Sequence, residues 1–150
     1  MVPILIPEKP NFKSNAEKKH WQVLKDKLPD EAFLLTNIRV TTPGKDHEID
    51  FIVLWPDKGV AFIEVKGGYI SPKSDGTFDQ GTGNDKHPID PVSDTHESMY
   101  FFWDWIKNHS SFNIFTPRAF LVSFPDSTLN RNYSNPQLPR NQFIDENELH

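Results

Sequence analysis

Residues 47–68, which decide the fold, read HEIDFIVLWPDKGVAFIEVKGG. Two runs rich in β-branched and aromatic residues flank the turn-forming stretch Pro56–Gly59, and this combination predicts a β-hairpin. Both runs are apolar on nearly both faces, which is typical of strands in the middle of a covered sheet. Three charged residues interrupt the runs, although a buried charge is costly unless it is paired or binds a metal ion. The candidate functional residues are therefore Asp50, Glu64 and Lys66.

The register of the hairpin decides whether these three side chains meet. Glu64 and Lys66 are two residues apart, so they point to the same face of their strand. Asp50 lies on the same face only if the two residue numbers of each cross-strand pair add up to an even number. A three-residue loop, Asp57–Gly59, satisfies this condition by pairing Asp50 with Lys66. A four-residue loop would turn Asp50 to the other face, so the site requires the short loop or a bulge.

The same stretch resembles a known family. Asp, followed one hairpin later by Glu-x-Lys, is similar to the signature of the PD-(D/E)XK nucleases, and residues 48–67 resemble the nuclease-related (NERD) domain. Asp and Glu-x-Lys alone form a weak pattern, but two apolar strands joined by a glycine-containing turn make it more specific. The resemblance covers about residues 14–124. It implies an α/β fold with a restriction-endonuclease-like core, in which helices flank a central mixed sheet in the order αβββαβ.

Hydrophobic periodicity, read independently, gives the same order of elements. The predicted elements are a helix at 15–28, strands at 33–40, 47–55 and 60–66, a helix at 92–108 and a strand at 118–124. Ser14 and Glu17 have the spacing of a capping box, and the apolar stripe of the first helix turns Glu17 towards the core. The second helix is apolar almost all round, which predicts cover on two sides. The last strand follows a helical crossover and is expected to run parallel to the strand of Glu64.

The chain divides into three segments. Residues 1–13 are predicted to form an N-terminal extended arm, and residues 14–124 the NERD-like domain. Residues 125–150 are predicted to form a C-terminal loop and the start of a helix, from which we infer that the chain was cut from a longer protein. Within the domain, the Gly-, Asp- and Asn-rich residues 79–91 are expected to form a mobile loop near the strand ends.

Composition limits the classes of function. The chain has 150 residues, enough for one domain, and no cysteine, which excludes disulfides and cysteine-based zinc sites. No stretch has the character of a signal peptide or a membrane span, so the expected location is the cytoplasm, without a membrane partner. The net charge of −5 does not favour nucleic-acid binding. A nuclease of this charge needs bound metal or a neighbouring domain to hold DNA.

The charged residues of the hairpin suit hydrolysis of a phosphodiester. A divalent cation neutralises the phosphate and lowers the pKa of bound water, and Mg²⁺ prefers hard oxygen ligands. We expect Mg²⁺, or Mn²⁺ as a substitute, to bind Asp50, Glu64 and the backbone carbonyl of Val65. Lys66 would orient the attacking water or stabilise the transition state. Glu17 either completes a second metal position or only caps its helix. The resemblance implies the same roles for these residues.

Other residues keep two interpretations each. Glu64 and Lys66 are either site residues or an ion pair on a wet face. His20 is expected on the helix surface rather than as a ligand, and Glu48 at a solvated edge rather than as an auxiliary ligand. NERD domains tend to carry Asn-Pro-x-x-Gln at the start of the second helix, whereas this chain has Asp at both polar positions of 90–94. These additional acids would bind metal or repel DNA.

Three functions are compatible with the sequence. The first is a Mg²⁺-dependent nuclease domain that acts on DNA in DNA processing or defence. The second is a catalytically silent PD-(D/E)XK-fold domain that binds nucleic acid or acts as a scaffold in a larger helicase- or kinase-like protein. The third is a metal-dependent phosphoesterase that acts on nucleotides or RNA. The expected partners are DNA and further domains of the same chain beyond residue 150, and the oligomeric state stays open.

Overall fold

A computed structural model describes residues 3–109 and 117–148 and contains two β-sheets and two α-helices. In chain order the elements are β1 (Ile4–Ile6), α1 (Asn15–Lys27), β2 (Phe33–Thr42), β3 (Lys45–Trp55), β4 (Gly59–Val65), β5 (Ile70–Pro72), β6 (Phe78–Gln80), β7 (His87–Ile89), α2 (Pro91–His109), β8 (Arg118–Phe124) and β9 (Phe143–Asp145). The large sheet has the strand order β1-β2-β3-β4-β8-β9, and the small sheet has the order β5-β6-β7. The predicted mixed α/β class is confirmed.

Strand direction changes across the large sheet. At the centre of the sheet, β3 is antiparallel to both β2 and β4. Strand β8 follows α2 and lies parallel to β4, as the crossover predicts. The outer strands β1 and β9 pair in parallel with β2 and β8. The segments predicted as an arm and a C-terminal loop therefore each contribute an edge strand.

The sheet has an apolar core on each face. On one face, α1 contributes Ala16 and Trp21, which pack with Phe51 and Ile63 of the central strands. On the other face, α2 contributes five buried residues: Val92, Met99, Phe102, Trp103 and Ile106. They pack on the sheet and belong to the same core as three residues of the C-terminal segment, Leu129, Leu138 and Phe143. Both central strands are covered on both faces, which explains why their sequences are apolar at nearly every position.

The central hairpin has an even register, but its pairing differs from the predicted one. Trp55 lies opposite Gly59, and the pairing continues to Phe51 opposite Ile63. Asp50 is therefore not opposite Lys66 as predicted, since the loop is residues 56–58. Strand β4 starts earlier because the N–H of Val60 donates to the carbonyl of Pro117, before β8 (2.9 Å).

The alternation of β3 breaks at Asp50. Ile49 and Ile52 both pack in the core on the α2 side, whereas Phe51 packs in the core on the α1 side. On β2 the residue in register with Asp50 is Asn37, which has a φ of 54°. A left-handed residue in a strand bends the strand locally. This bend frees the Asp50 carboxyl group from the regular alternation and turns it towards α1.

Three other segments differ from the predictions. Tyr100 and Trp105 of α2 are 56% and 45% exposed, so the predicted cover on two sides is wrong for this part of the helix. Residues 87–89 form β7, which pairs with β6, where a mobile loop was predicted. Residues 146–148 form a turn because Asp145 accepts the N–H groups of Asn147 and Glu148, where the sequence predicted the start of a helix.

Within the described residues, neither helix combines the length and the apolar character that a bilayer crossing requires.

Candidate active site

A cleft opens where β3 and β4 separate. Their pairing stops at Phe51 and Ile63, so the next residues, Asp50 and Glu64, border a gap between the two strands. The first turn of α1 lies on one side of this gap. The cleft has a volume of about 600 Å³. Its charged lining residues are Lys13, Glu17, Glu48, Asp50, Glu64, Lys66 and Asp126. All four side chains that the sequence predicted as catalytic therefore line one cleft.

Asp50 is the most constrained acid of the cleft. Its side chain is buried, and its Oδ2 atom accepts a hydrogen bond from the backbone N–H of Val65 (2.8 Å). Burial raises the pKa of Asp50 to about 8, and the neighbouring Glu64 carboxyl group contributes to the increase. One N–H donor is not enough to offset burial and a second acid. At neutral pH, Asp50 therefore retains a proton in the absence of a cation.

Glu17 combines the two roles that the sequence left open. Its backbone N–H donates to Ser14 Oγ (3.2 Å), as in a capping box, but its own Oε2 accepts the N–H of Lys13 (2.7 Å), one residue before the N-cap. The same carboxyl group contacts Asp50. Burial raises the pKa of Glu17 to about 7, and contact with Asp50 adds to this shift. The capping contact thus holds Glu17 beside Asp50.

Three carboxyl groups form a row with Asp50 in the middle. Glu17 contacts Asp50 from α1, and Glu64 contacts it from β4. After burial, the Asp50 carboxyl group contributes to the raised pKa of Glu17, and the Glu64 carboxyl group contributes to the raised pKa of Asp50. Within residues 3–109 and 117–148, no group of three or more His, Cys, Asp or Glu side chains has the arrangement of a metal-ion cage.

Lys66 places an amine in the cleft. Its backbone N–H donates to the carbonyl of Ser123 on β8 (2.9 Å), which fixes the end of β4. The Lys66 side chain is half-buried and lines the cleft with Glu64. In the part of the chain that is described, Lys66 forms no ion pair. The interpretation of Glu64 and Lys66 as a simple ion pair is therefore not supported by the geometry.

His20 is buried, and the prediction of a helix-surface position is wrong. The imidazole is 2% exposed and stacks on Phe51, with ring centroids 5.5 Å apart. Its Nδ1 atom lies 2.9 Å from Ser123 Oγ, within hydrogen-bonding distance. Burial lowers the pKa of His20 to about 4, so the ring is neutral at physiological pH. It ties α1 to β8 behind the cleft and is not among the cleft-lining residues.

Glu48 lines the cleft but already has two cationic partners. Lys13 forms a salt bridge with its Oε1, and Arg39 Nη2 lies 3.3 Å from its Oε2. Glu48 thus forms ion pairs at the mouth of the cleft, which is compatible with the predicted position at a solvated edge. The acids of the 90–94 stretch lie elsewhere. Asp90 Oδ1 accepts the N–H of Ser93 at the start of α2, and neither Asp90 nor Asp94 lines the cleft.

Two cleft residues were missed by the sequence analysis. Asp126 Oδ2 accepts the N–H of Gly68 (2.9 Å), and Gln80 Nε2 donates to the carbonyl of Gly67 (2.8 Å). A signal existed for Asp126, because it is the first acid after β8 and ligand sites lie beyond the carboxyl ends of parallel strands. No local signal marks Gln80, which reaches the cleft from the small sheet.

The family model of the nuclease-related domain (NERD) matches residues 13–122. This range contains α1, the central hairpin, α2 and most of β8, and it includes all four predicted catalytic residues. A comparison with curated proteins finds no match. The family match extends over well more than half of the chain and agrees with the resemblance of residues 14–124. The chain therefore belongs to the nuclease-related domain (NERD) family.

Proposed function

We propose that this chain is a Mg²⁺-dependent nuclease domain with a PD-(D/E)XK core that hydrolyses phosphodiester bonds of DNA. The observation that carries the proposal is the contact between the carboxyl groups of Asp50 and Glu64, in a cleft where the Lys66 amine forms no ion pair with any described residue. Membership of the nuclease-related family supports it. The proposal includes a cytoplasmic role in DNA processing or defence.

The donor set fits a divalent cation. Mg²⁺ usually binds through one or two carboxylates and completes its coordination with water and substrate oxygens, so a cage of three protein ligands is not required. Asp50 and Glu64 offer two hard oxygen donors, and Val65 offers its backbone carbonyl. The raised pKa of Asp50 reflects negative charge that lacks compensation, and a cation would supply that compensation. Glu17 would hold a second ion in the same way.

Each residue of the cleft has a distinct task in this proposal. Bound Mg²⁺ would supply positive charge to the phosphate and lower the pKa of a water molecule. Asp50 and Glu64 would hold that ion through their carboxylate oxygens. The Lys66 ammonium would contact a non-bridging phosphate oxygen and stabilise the charge that grows there in the transition state. Gly68, which leaves open space beside its backbone, would let the substrate backbone approach.

A catalytically silent domain that binds nucleic acid or acts as a scaffold is the second candidate. The raised pKa values of Glu17 and Asp50 favour it, because a carboxyl group must lose its proton before it binds a metal ion. The net charge of −5 also favours a role other than holding DNA alone. A silent domain would show no dependence of any nucleic-acid reaction on Asp50 or Glu64.

Incubation of the protein with single-stranded and double-stranded plasmid DNA tests the proposal. Reactions would contain Mg²⁺, Mn²⁺ or EDTA, with an RNA substrate in parallel. We expect cleavage with either metal, none with EDTA, and none by a folded Glu64→Ala variant. If RNA is cleaved and DNA is not, the protein is instead a metal-dependent phosphoesterase that acts on RNA. No metal-dependent product with any substrate would overturn the nuclease proposal.

A further inference from the structure

A second groove continues from the cleft along the N-terminal segment. It has a volume of about 530 Å³ and lies between residues 10–13 and the start of α1. Lys13, Ser14 and Asn15 line both the cleft and this groove. A polymer bound at the acids of the cleft can therefore continue into the groove without crossing a barrier of other residues.

The sign of the charge changes between the two spaces. The cleft contains five acids and two lysines among its lining residues, whereas the lining of the groove contains Lys13 and Lys18 and no acid. Asp126 lies on another part of the cleft lining, and Lys19 Nζ, 3.6 Å from its Oδ1, partly neutralises its charge. A polyanion that leaves the cleft therefore meets cations on the Lys18 side and a carboxylate at Asp126.

The wall of the groove is held in place by contacts spaced along it. The carbonyl of Asn11 accepts a hydrogen bond from Asn37 Nδ2 (2.6 Å) on β2. The Phe12 ring packs against Trp21 of α1, with centroids 5.4 Å apart. The adjacent Lys13 is fixed through its backbone by Glu17. Three successive residues thus anchor the segment, so the groove exists before a ligand binds.

The cations of this region exceed their acidic partners. Lys13 and Arg39 both form ion pairs with one acid, Glu48. Lys18 is exposed and, within the described part of the chain, forms no ion pair. An exposed lysine with no acidic partner in a preformed groove can contact a phosphate without first breaking a salt bridge.

We propose that this groove binds the phosphodiester backbone of a nucleic-acid strand next to the phosphate that occupies the cleft. The inference rests on the proposed function, because it takes the cleft as the place of the reacting phosphate. Lys18 contacts a backbone phosphate outside the cleft and contributes affinity rather than chemistry. The strand leaves the acids towards the start of α1 and not towards Asp126.

Fluorescence anisotropy with a labelled single-stranded DNA oligonucleotide tests the contact. EDTA is present so that no metal-dependent cleavage occurs. We expect Lys18→Glu to raise the Kd about tenfold at low salt and to reduce the slope of log Kd against log salt by about 0.7, as for one lost phosphate contact. An acid in the first turn of α1 also suits the helix dipole, so the variant is expected to fold.

Lys58→Glu is the matched control. Lys58 is an exposed lysine in the β3–β4 turn, at the opposite end of the hairpin from Asp50, and its replacement changes the net charge by the same amount. We expect its Kd to stay within about twofold of the wild type, since long-range charge effects alone are small in salt. Equal weakening by both variants, or no binding by the wild type at low salt, would overturn the inference.

The absence of cysteine allows the path of the strand to be mapped. A Lys18→Cys variant carries a unique thiol that can be coupled to a photo-crosslinker, with Lys58→Cys as control. We expect crosslinks from position 18 to nucleotides adjacent to the metal-dependent cut, and none from position 58. Crosslinks from both positions, or from neither, would contradict the inference.

The two proposals fail separately. If the wild type cleaves DNA and Lys18→Glu binds and cleaves like the wild type, the nuclease proposal stands and the groove proposal is wrong. If the protein cleaves nothing but binds the oligonucleotide in a manner that depends on Lys18, the groove proposal stands without its catalytic setting and the silent-domain function replaces the nuclease.

Discussion

Two buried aspartates of the large sheet, Asp50 and Asp145, have opposite electrostatic surroundings. Asp145, at the end of β9, is 3% exposed and accepts three backbone N–H groups at 2.9–3.2 Å, from Leu129, Asn147 and Glu148. The Arg140 guanidinium lies 3.6 Å away. Burial raises the pKa of Asp145, but these donors and Arg140 outweigh it and leave the pKa below its ordinary value. The fold itself stabilises this carboxylate.

Asp50 is 6% exposed, almost as buried, but it has one N–H donor and two acidic neighbours. Its pKa rises to about 8, mainly because of burial and then because of Glu64. The contacts that favour the ionised form of Asp50, among them the Val65 N–H, are therefore too weak to offset burial and Glu64. Burial of an acid does not by itself indicate function. The difference between these two residues shows that the diagnostic feature is the lack of donors around a buried acid.

Alanine substitutions test the comparison with the largest expected effect. Asp50→Ala and Glu64→Ala each remove one of few metal donors, so we expect Mg²⁺-dependent cleavage to fall by at least about 10³-fold. Asp145→Ala is expected to leave cleavage per folded molecule unchanged and to cost about 2–4 kcal/mol of stability, because three N–H groups and Arg140 lose their acceptor. Cleavage rates and melting temperatures on the same preparations check both.

An Asp50→Asn variant is the control for the Val65 N–H, since its amide oxygen still accepts a hydrogen bond. It should be as inactive as Asp50→Ala but better folded. A fully folded Asp145→Ala that loses cleavage as severely as Asp50→Ala would remove the distinction between the two sites.

Lys66→Ala separates chemistry from metal binding. The ammonium does not coordinate metal, so we expect turnover to fall by about 10²-fold while Mn²⁺ binding is retained or tightened. Removal of a cation next to the acids also makes the cleft more attractive to a metal ion. Titration calorimetry with Mn²⁺ and single-turnover cleavage measure the two effects. Loss of metal binding in this variant would mean that Lys66 organises the acids instead of acting on the phosphate.

Glu17 has features of the surroundings of both aspartates. It accepts a backbone N–H group, as Asp145 does, and it contacts another acid, as Asp50 does. Glu17→Gln keeps an acceptor for the Lys13 N–H but removes the charge. If Glu17 holds a metal ion, Glu17→Gln lowers cleavage by about 10–100-fold with little change in melting temperature. Glu17→Ala should add a loss of about 1 kcal/mol from the cap. Unchanged cleavage in a folded Glu17→Gln would leave only the capping role.

The sequence was sufficient for the features that depend on neighbours in the chain. The mixed α/β class, the N-cap at Ser14 and the β-hairpin all follow from periodicity, capping and turn residues. The four predicted catalytic residues also line one cleft, although the even register of the hairpin places Asp50 there only together with the bend of the strand.

Features set by distant residues could not be predicted. The pairing of β3 with β4 differs from the predicted one because a hydrogen bond from Val60 to Pro117 sets the start of β4, and Pro117 is far from Val60 in the sequence. The bend at Asp50 depends on the left-handed Asn37 on β2. Asp126 enters the cleft only because β8 lies beside β4. Each of these facts requires the sheet topology, which local patterns do not contain.

The pH dependence of stability should have opposite signs for the two aspartates. The folded state holds the Asp50 proton up to about pH 8, far above the ordinary pKa of 3.8, so Asp50 lowers stability progressively as pH rises through this window. Asp50→Asn should therefore gain about 1–3 kcal/mol relative to the wild type between pH 4 and pH 8. Asp145 has a lowered pKa, so its contribution is present above pH 3.8 and is lost in acid.

Asp145→Asn should accordingly be less stable than the wild type at neutral pH, with a difference that shrinks as pH falls below about 4. Urea unfolding of both variants at a series of pH values measures these trends. Parallel trends in the two variants would show that Asp50 is stabilised by the fold as Asp145 is.

The smallest expected effect concerns what holds the acids of the cleft together. Backbone N–H donors hold the Asp145 carboxylate in place. Glu17, in contrast, is held next to Asp50 by the packing of α1 on Gly67. A Cβ atom on Gly67 would lie 2.7 Å from the Cβ of Ala16, although the backbone of Gly67 is not left-handed and tolerates alanine. Gly67→Ala should therefore cost about 1 kcal/mol and lower cleavage severalfold, because α1 and Glu17 move away. Adding Ala16→Gly removes the opposing Cβ and should restore most of the cleavage, despite its own small cost to the helix. A double-mutant cycle in melting temperature and cleavage measures the coupling, and purely additive losses would show that the contact of Ala16 with Gly67 does not position the acids.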